Sequence, residues 1–152
     1  MIADSIEREV LIDAPLETVW SIVTEPEHIG AWLGDSAEVD LRPGGELVVK
    51  FGDFGNANGR VEKVERPNLF AFRWVTPEPD RPADLGMEHA TLVEFQLRAE
   101  GGGTMLRMIE SGFAGLPTPE EENDALRERH TDGWGTFIDQ LAAHAESAKA
   151  TA

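Results

Sequence analysis

The sequence predicts an α+β domain in which a curved antiparallel sheet of about seven strands packs around a long C-terminal helix. Much of the chain between residues 37 and 113 alternates apolar and polar residues, which is typical of strands. Residues 118–145 instead repeat apolar residues at helical spacing. An apolar stripe of that length must be buried, and the inner face of the sheet is the only predicted surface large enough to cover it.

The elements before the last helix follow from local patterns. Residues 5–12 alternate and form the first predicted strand. Two short helices follow, beginning at Pro15 and Pro26, because proline is favoured at the first helical position. Turns rich in glycine, proline and asparagine then separate strands predicted at 37–41, 46–51, 60–65, 69–75, 90–98 and 104–113.

The remaining segments complete a single predicted domain. Residues 76–88 contain three prolines and are predicted to be a loop, a candidate for part of the gate of a pocket. The last helix is predicted to end near Ala145. A chain of 152 residues is expected to form one domain over residues 1–152, with its core at 5–146 and a frayed tail at 147–152.

Composition excludes several classes of function. The 29 acidic residues outnumber 13 Lys and Arg, and a net charge of −16 disfavours nucleic acid and anionic membrane surfaces. The absence of cysteine excludes disulfides, thiolate nucleophiles and zinc–thiolate sites. The four histidines lack metal-ligand spacing, so we expect neither a metal nor a cofactor. Because no apolar run is long enough to span a membrane and the N-terminal segment is charged, a cytoplasmic protein is expected.

Four sequence blocks occur in order along residues 5–146. They are IDAPLETVWSIVTEPEHIGAWLGD, GRVEKVERPNLFAFRW, TLVEFQLRAEGGGTMLRMIESGF and TDGWGTFIDQLAAH. Together they resemble the SRPBCC, or START-like, superfamily, and within it the branch named after the activator of the heat-shock-protein-90 ATPase. The resemblance implies a helix-grip fold, with seven antiparallel strands around the last helix and adjacent first and last strands. It implies no reaction, because relatives include lipid carriers, hormone receptors, polyketide cyclases and co-chaperone domains.

Three polar residues are candidates for the interior. Glu110 and Arg8 share the phase of the apolar residues of their strands, and we expect them to form an inward ion pair that orients a polar ligand group. Alternatively, Glu110 accepts hydrogen bonds from backbone amides of the following turn at Ser111 and Gly112. His130 lies on the apolar stripe of the last helix, where it is either a pocket acid or base or a satisfied core histidine.

The aromatic residues are the candidates for the wall of a cavity, although plain core packing explains most such residues equally well. Trp74, Phe113 and Trp134 are the strongest candidates, since they lie near strand ends or in the first half of the last helix. The aromatic residues that could line a cavity are Trp32, Phe51, Phe70, Phe72, Trp74, Phe95, Phe113, Trp134 and Phe137, and all of them except Phe51 and Phe70 are predicted as lining residues.

The sequence therefore predicts a protein that binds a small apolar or amphipathic molecule between the sheet and the last helix. A ligand cavity of at least ~300 Å³ is expected there. One alternative is an interaction module with a chaperone partner, related to the heat-shock-protein-90 ATPase activator. The other is a cyclase- or dehydratase-type enzyme that uses Glu110, Arg8 and His130. Either a monomer or a dimer agrees with the sequence.

Overall fold

The computed structural model describes residues 3–79, 81–82 and 85–151. Within them the chain forms seven strands and three α-helices, in the predicted order of one strand, two short helices, six strands and a long helix. The strands are β1 (Ser5–Ile12), β2 (Ser36–Val39), β3 (Glu46–Lys50), β4 (Asn56–Glu65), β5 (Leu69–Val75), β6 (Thr91–Glu100) and β7 (Gly103–Ser111), and the helices are α1 (Leu16–Thr24), α2 (Pro26–Trp32) and α3 (Glu120–Thr151).

The strands form one antiparallel sheet in the order β1-β7-β6-β5-β4-β3-β2. Strand β1 pairs with β7, so the adjacency of the first and last strands is confirmed. Helices α1 and α2 follow β1, and α3 packs against β1 and α1. This is the predicted α+β helix-grip arrangement, in which the sheet surrounds the C-terminal helix.

The largest differences from the predicted boundaries concern β4, α3 and the loop at 76–88. Strand β4 begins at Asn56 rather than at residue 60, because its first residues pair with β3, where Asn56 lies opposite Lys50. Helix α3 continues to Thr151 rather than ending near Ala145, since no helix-breaking residue follows and Ala148 packs against the core. The predicted loop at 76–88 contains a short 3₁₀ turn at Met87–His89, and its residues 80, 83 and 84 lie outside the described residues.

The core lies between the inner face of the sheet and the helices. Alternation places one side of each central strand inward, and these side chains pack against the apolar faces of α1, α2 and α3. No helix in the described part of the chain is long and apolar enough to cross a membrane. The large side chains buried most completely in this core are Trp32, Phe70, Phe95, Phe113, Leu106, Met108 and Leu141.

Candidate functional site

A carboxylate lies at the centre of the interior. The Glu110 side chain is completely buried, and its two oxygens accept hydrogen bonds from four side chains. The hydroxyl of Thr91 donates over 2.6 Å, and the indole N–H groups of Trp134 and Trp74 donate over 2.8 and 3.0 Å. Nδ1 of His130 lies 2.8 Å from the nearer carboxylate oxygen. A buried carboxylate is costly unless it is paired and hydrogen-bonded, and these contacts meet that requirement.

Three adjacent strands and α3 bring these groups together. Glu110 on β7 lies opposite Val93 on β6, and Thr91 on β6 lies opposite Trp74 on β5. Because the side chains of all three strands alternate in phase, the polar groups converge on one side of the sheet. His130 and Trp134 are four residues apart on α3 and therefore lie on the same face of that helix.

His130 connects the buried carboxylate to a second acid nearer the surface. Its other ring nitrogen, Nε2, lies 3.1 Å from the Thr76 hydroxyl and 3.3 Å from a carboxylate oxygen of Glu78. Burial lowers the pKa of His130, but the negative charge of Glu110 and the hydrogen bonds to both acids outweigh burial and raise the pKa to about 9. His130 is therefore an imidazolium at neutral pH, and both of its nitrogens are donors.

Glu78 is held by three donors. Burial raises its pKa, but hydrogen bonds from His130 and Thr76, followed by the charge of His130 and the hydrogen bond from Arg129, bring the pKa down to about 2. The Thr76 hydroxyl donates to Glu78 over 2.7 Å, and Nε of Arg129 donates over 2.9 Å. A terminal nitrogen of Arg81 donates to the Thr76 carbonyl over 2.7 Å, which ties the beginning of this loop together.

A cleft of about 230 Å³ opens above this cluster, between the end of β5 and α3. One part of its wall is aromatic, and the rings of Trp74 and Trp134 stack there with their centroids 5.9 Å apart. The polar cluster forms another part of the wall. The lining residues are Phe51, Phe54, Trp74, Thr76, Pro77, Glu78, Arg129, His130, Gly133, Trp134 and Phe137.

Several residues selected from the sequence meet at this cleft. Trp74, His130, Trp134 and Phe137 line it. Phe113 does not line the cleft but supports it, because its ring meets the His130 ring edge-on at a centroid distance of 5.6 Å. The site therefore forms where the predicted aromatic wall meets the predicted polar residues of β7 and α3.

Trp32, Phe72 and Phe95 do not line the cleft, contrary to the prediction. Phe72 and Phe95 on the sheet and Trp32 at the end of α2 surround a residual void of only about 10 Å³. The indole of Trp32 donates to the backbone carbonyl of Ile22 over 2.9 Å, and its ring meets Phe95 edge-on at 6.0 Å. These aromatic residues are core residues, because side chains of α1 and α2, including Trp32 itself, fill the space over this part of the sheet.

The predicted ion pair between Arg8 and Glu110 is wrong. Arg8 is exposed, and its guanidinium donates to the backbone carbonyl of Thr131 over 3.3 Å. Ile6 and Ile12 share the phase of Arg8 on β1 and are buried, but the Arg8 side chain reaches the backbone of α3 instead of the interior. Within the described residues, Glu110 has His130 as its cationic partner instead.

The alternative role for Glu110, as a carboxylate bound to the following turn, is also wrong. The backbone N–H of Gly112 donates to Asp4, to the carbonyl over 3.1 Å and to the carboxylate over 3.2 Å. Asp4 of the N-terminal segment therefore stabilises this turn. The Glu110 carboxylate remains directed at the side chains of the interior.

Four functional candidates were absent from the sequence prediction, namely Phe54, Thr76, Glu78 and Arg129. Thr76 and Glu78 belong to the proline-rich segment that was predicted as a loop and a candidate gate, and this length of irregular chain is the only signal that pointed to them. Arg129 looks like a solvated residue in the helix pattern, since it lies beside the apolar stripe rather than on it. In the described part of the chain, no group of three or more His, Asp or Glu side chains could hold a metal ion.

The sheet that surrounds a long C-terminal helix, with an aromatic cleft at one end, defines a helix-grip domain of the SRPBCC type. Residues 13–146 match the family described as Activator of Hsp90 ATPase homolog 1-like protein. The chain therefore belongs to this family. No curated protein is detectably similar to the chain.

Solved structures agree with this assignment. Protein MLL2253 from Mesorhizobium loti is 25% identical with a TM-score of 0.77, and the match covers 94% of this chain and 97% of that protein. DynU16, a protein of the dynemicin biosynthetic locus, is 26% identical with a TM-score of 0.73, and the match covers 97% of this chain but 49% of DynU16. The Aha1 dimer from Colwellia psychrerythraea is 16% identical with a TM-score of 0.72, over 96% of this chain and 97% of that one, which shows the shared fold.

Proposed function

We propose that the chain binds a small, largely apolar molecule with one polar group in the cleft between β5 and α3. The supporting observation is the composition of the cleft, in which the rings of Phe51, Trp74 and Phe137 lie beside the hydrogen-bonding groups of Glu78 and His130. A ligand would bury its apolar body against the rings and place its polar group at the cluster. The match to an SRPBCC family supports a ligand-binding use of this fold.

The size of the cleft limits the ligand. Its volume of about 230 Å³ is smaller than the ~300 Å³ expected from the sequence. The interior is smaller because the stacked rings of Trp74 and Trp134 occupy it. A cavity of about 150 Å³ accommodates benzene, so this cleft suits a molecule with one or two rings rather than a long-chain lipid.

The protonation state of the cluster favours binding over catalysis. A general base works best when its pKa lies near the operating pH. Burial lowers the pKa of His130, but Glu110 and Glu78 raise it to about 9, so the ring carries no free base nitrogen at neutral pH. The cluster therefore offers donors to a ligand and has no group poised to remove a proton.

Two substitutions in α3 test the proposal. Gly133 lines the cleft, and a Cβ atom there would lie 3.6 Å from the ring of Phe137, an ordinary contact. Gly133→Leu should fill the cleft and abolish binding. Gly135→Leu is the matched control, since a Cβ atom at Gly135 would approach the exposed guanidinium of Arg8 instead.

The measurement follows the indole N–H signals in two-dimensional NMR during titration with naphthalene-2-carboxamide, an uncharged two-ring probe. Binding in the cleft should shift the signals of Trp74 and Trp134 and leave that of the core residue Trp32 unchanged. The shifts should persist in Gly135→Leu and disappear in Gly133→Leu. If Gly133→Leu still binds the probe, or if no signal shifts in the unmodified protein, the proposal is wrong.

The interaction module stays the alternative prediction. It would be favoured by two results together. The cleft would bind neither this probe nor any member of a panel of aromatic, polyketide and lipid molecules, and a chaperone would bind to the surface of the unmodified protein. The cytoplasmic location and the oligomeric state also stay predictions.

A further inference from the structure

Glu78 occupies the position in the cleft that a ligand's anionic group would prefer. Its side chain is only 9% exposed, and its carboxylate meets three donors, from His130, Thr76 and Arg129. These donors come from two separate elements, α3 and the segment after β5. Charged donors of this kind bind carboxylates strongly, because a hydrogen bond between ionised partners is about twice as strong as a neutral one.

The charge around the cleft favours an anion although the whole chain is strongly acidic. Glu110 is already neutralised by its ion pair with His130. Arg129 and Arg81 provide two further positive charges next to Glu78, out of only 13 Lys and Arg residues in the sequence. If the carboxylate of Glu78 were displaced, these cations and the Thr76 hydroxyl would be left without an anionic partner.

A second pocket gives the displaced side chain a place to go. It has a volume of about 500 Å³ and shares Glu78 and Arg129 with the aromatic cleft, so this ion pair stands between the two spaces. Arg81 and His89 also line it, and both have a buried nitrogen, Nε and Nδ1 respectively, with no hydrogen-bond partner among the described residues. A carboxylate that rotated into this pocket would meet groups that lack a partner.

We propose that the aromatic cleft is a site for small aromatic carboxylates, and that Glu78 occupies its anion subsite until a ligand displaces it. The ligand carboxylate would accept from His130, Thr76 and Arg129, and its ring would lie against Trp74 and the other aromatic residues of the cleft. Glu78 would turn toward Arg81 and His89. This inference rests on the proposed function and adds the chemical class of the ligand to it.

The test compares two ligands that differ only in charge, naphthalene-2-carboxylate and naphthalene-2-carboxamide. Glu78→Gln removes the competing charge and keeps the shape of the side chain. It should strengthen binding of the carboxylate by about tenfold or more and change binding of the carboxamide by less than about twofold. Glu62→Gln is the matched control, because Glu62 forms an exposed ion pair with Arg73 on the sheet, and it should change neither affinity.

Two further measurements separate the possible outcomes. Glu78→Asp shortens the side chain by one methylene and should give an intermediate gain for the carboxylate, and thermal melting confirms that each variant is folded. If Glu78→Gln strengthens binding of both ligands equally, or leaves the carboxylate affinity unchanged while the carboxamide still binds, the anion subsite is wrong and the apolar cleft stands. If neither ligand shifts the indole signals of Trp74 and Trp134 in any variant, both the subsite and the proposed function are wrong.

Discussion

Strand β5 connects two aromatic regions that use the same kind of residue differently. Phe70 and Phe72 lie in the filled region beneath the short helices, whereas Trp74 on the same face lies in the cleft. In the filled region the indole of Trp32 donates to the backbone carbonyl of Ile22. In the cleft the indole of Trp74 donates to the ionised side chain of Glu110.

This difference teaches what separates a core from a site in this fold. Beneath α1 and α2 the aromatic rings are covered by a second layer of side chains, and a void of about 10 Å³ is all that remains. At the end of β5 neither α1 nor α2 lines the space, and a charged cluster holds the rings in place around about 230 Å³ of open space. The filled region owes its stability to packing, and the cleft owes its shape to buried hydrogen bonds.

The largest expected effect is the loss of a ring from the filled region. Phe95→Ala should lower the free energy of unfolding by about 3–5 kcal/mol, because it removes a fully buried ring and leaves a cavity. Phe54→Ala at the rim of the cleft should cost less than about 0.5 kcal/mol, since Phe54 is 86% exposed. Urea unfolding measures both values. Equal losses would mean that the two regions do not differ as described.

Removal of the buried charge of Glu110 should have the second-largest effect on the free energy of unfolding. Glu110→Gln should lower the free energy of unfolding by about 3 kcal/mol, because it removes the completely buried one of the two carboxylates that pair with the charged form of His130. Glu94→Gln on neighbouring β6 is the control, and it should change the free energy by less than about 0.5 kcal/mol. A Glu110→Gln variant as stable as the control would show that packing alone maintains the cleft.

The pH dependence of the free energy of unfolding should reflect the cleft rather than the filled region, because the cleft contains the titratable groups His130 and Glu78. Burial lowers the pKa of His130, but Glu110 raises it from 6.5 to about 9, so its stabilising contribution is complete below pH 6.5 and is lost as the pH rises through 9. Burial raises the pKa of Glu78, but His130 and Thr76 lower it from 4.5 to about 2, so its contribution is present above pH 4.5 and is lost as the pH falls toward 2.

Unfolding by urea at pH 6 and pH 9.5 measures the His130 effect. The unmodified protein should lose roughly 2–3 kcal/mol between these values, whereas His130→Gln should lose much less. Other groups titrate in both proteins and cancel in the comparison. Parallel pH profiles for the two proteins would contradict the ion pair with Glu110.

The smallest expected effect is a gain in the free energy of unfolding. Gly133→Ala should raise the free energy of unfolding by about 0.5–1 kcal/mol, because glycine in the middle of a helix is less favourable than alanine. The new methyl group would lie 3.6 Å from the Phe137 ring, which needs no rearrangement. Thermal melting measures the change, and a loss of stability would mean that α3 packs more closely on the cleft than the structure indicates.

Much of the fold could be predicted from local patterns. Alternation predicted β1 over its full length and the inward phase of Glu110, since the face of a strand depends only on its period. Alternation could not predict how deeply a side chain is buried. Arg8 has the same phase as the buried Ile6 and Ile12 of β1, but its side chain is exposed and its guanidinium donates to the backbone carbonyl of Thr131.

The candidate site could be predicted only in part. Trp74, Trp134 and His130 follow from the same periodicities, because each lies on the apolar face of its element. Glu78 could not be found in this way, since an irregular segment has no period from which a direction can be read. Its contacts with His130 span 52 positions of the sequence and depend on where the loop meets α3.

The sequence by itself determined the order of elements, the antiparallel sheet around the last helix and the acidic character of the chain, because these depend on periodicity and composition. Tertiary structure alone decided which acid meets which cation. Glu110 pairs with His130 rather than with Arg8 because the packing of α3 brings Nδ1 of His130 within 2.8 Å of the carboxylate, whereas the Arg8 guanidinium reaches the backbone carbonyl of Thr131. The pairing of buried charges depends on distance and desolvation, and both depend on how the elements pack in space.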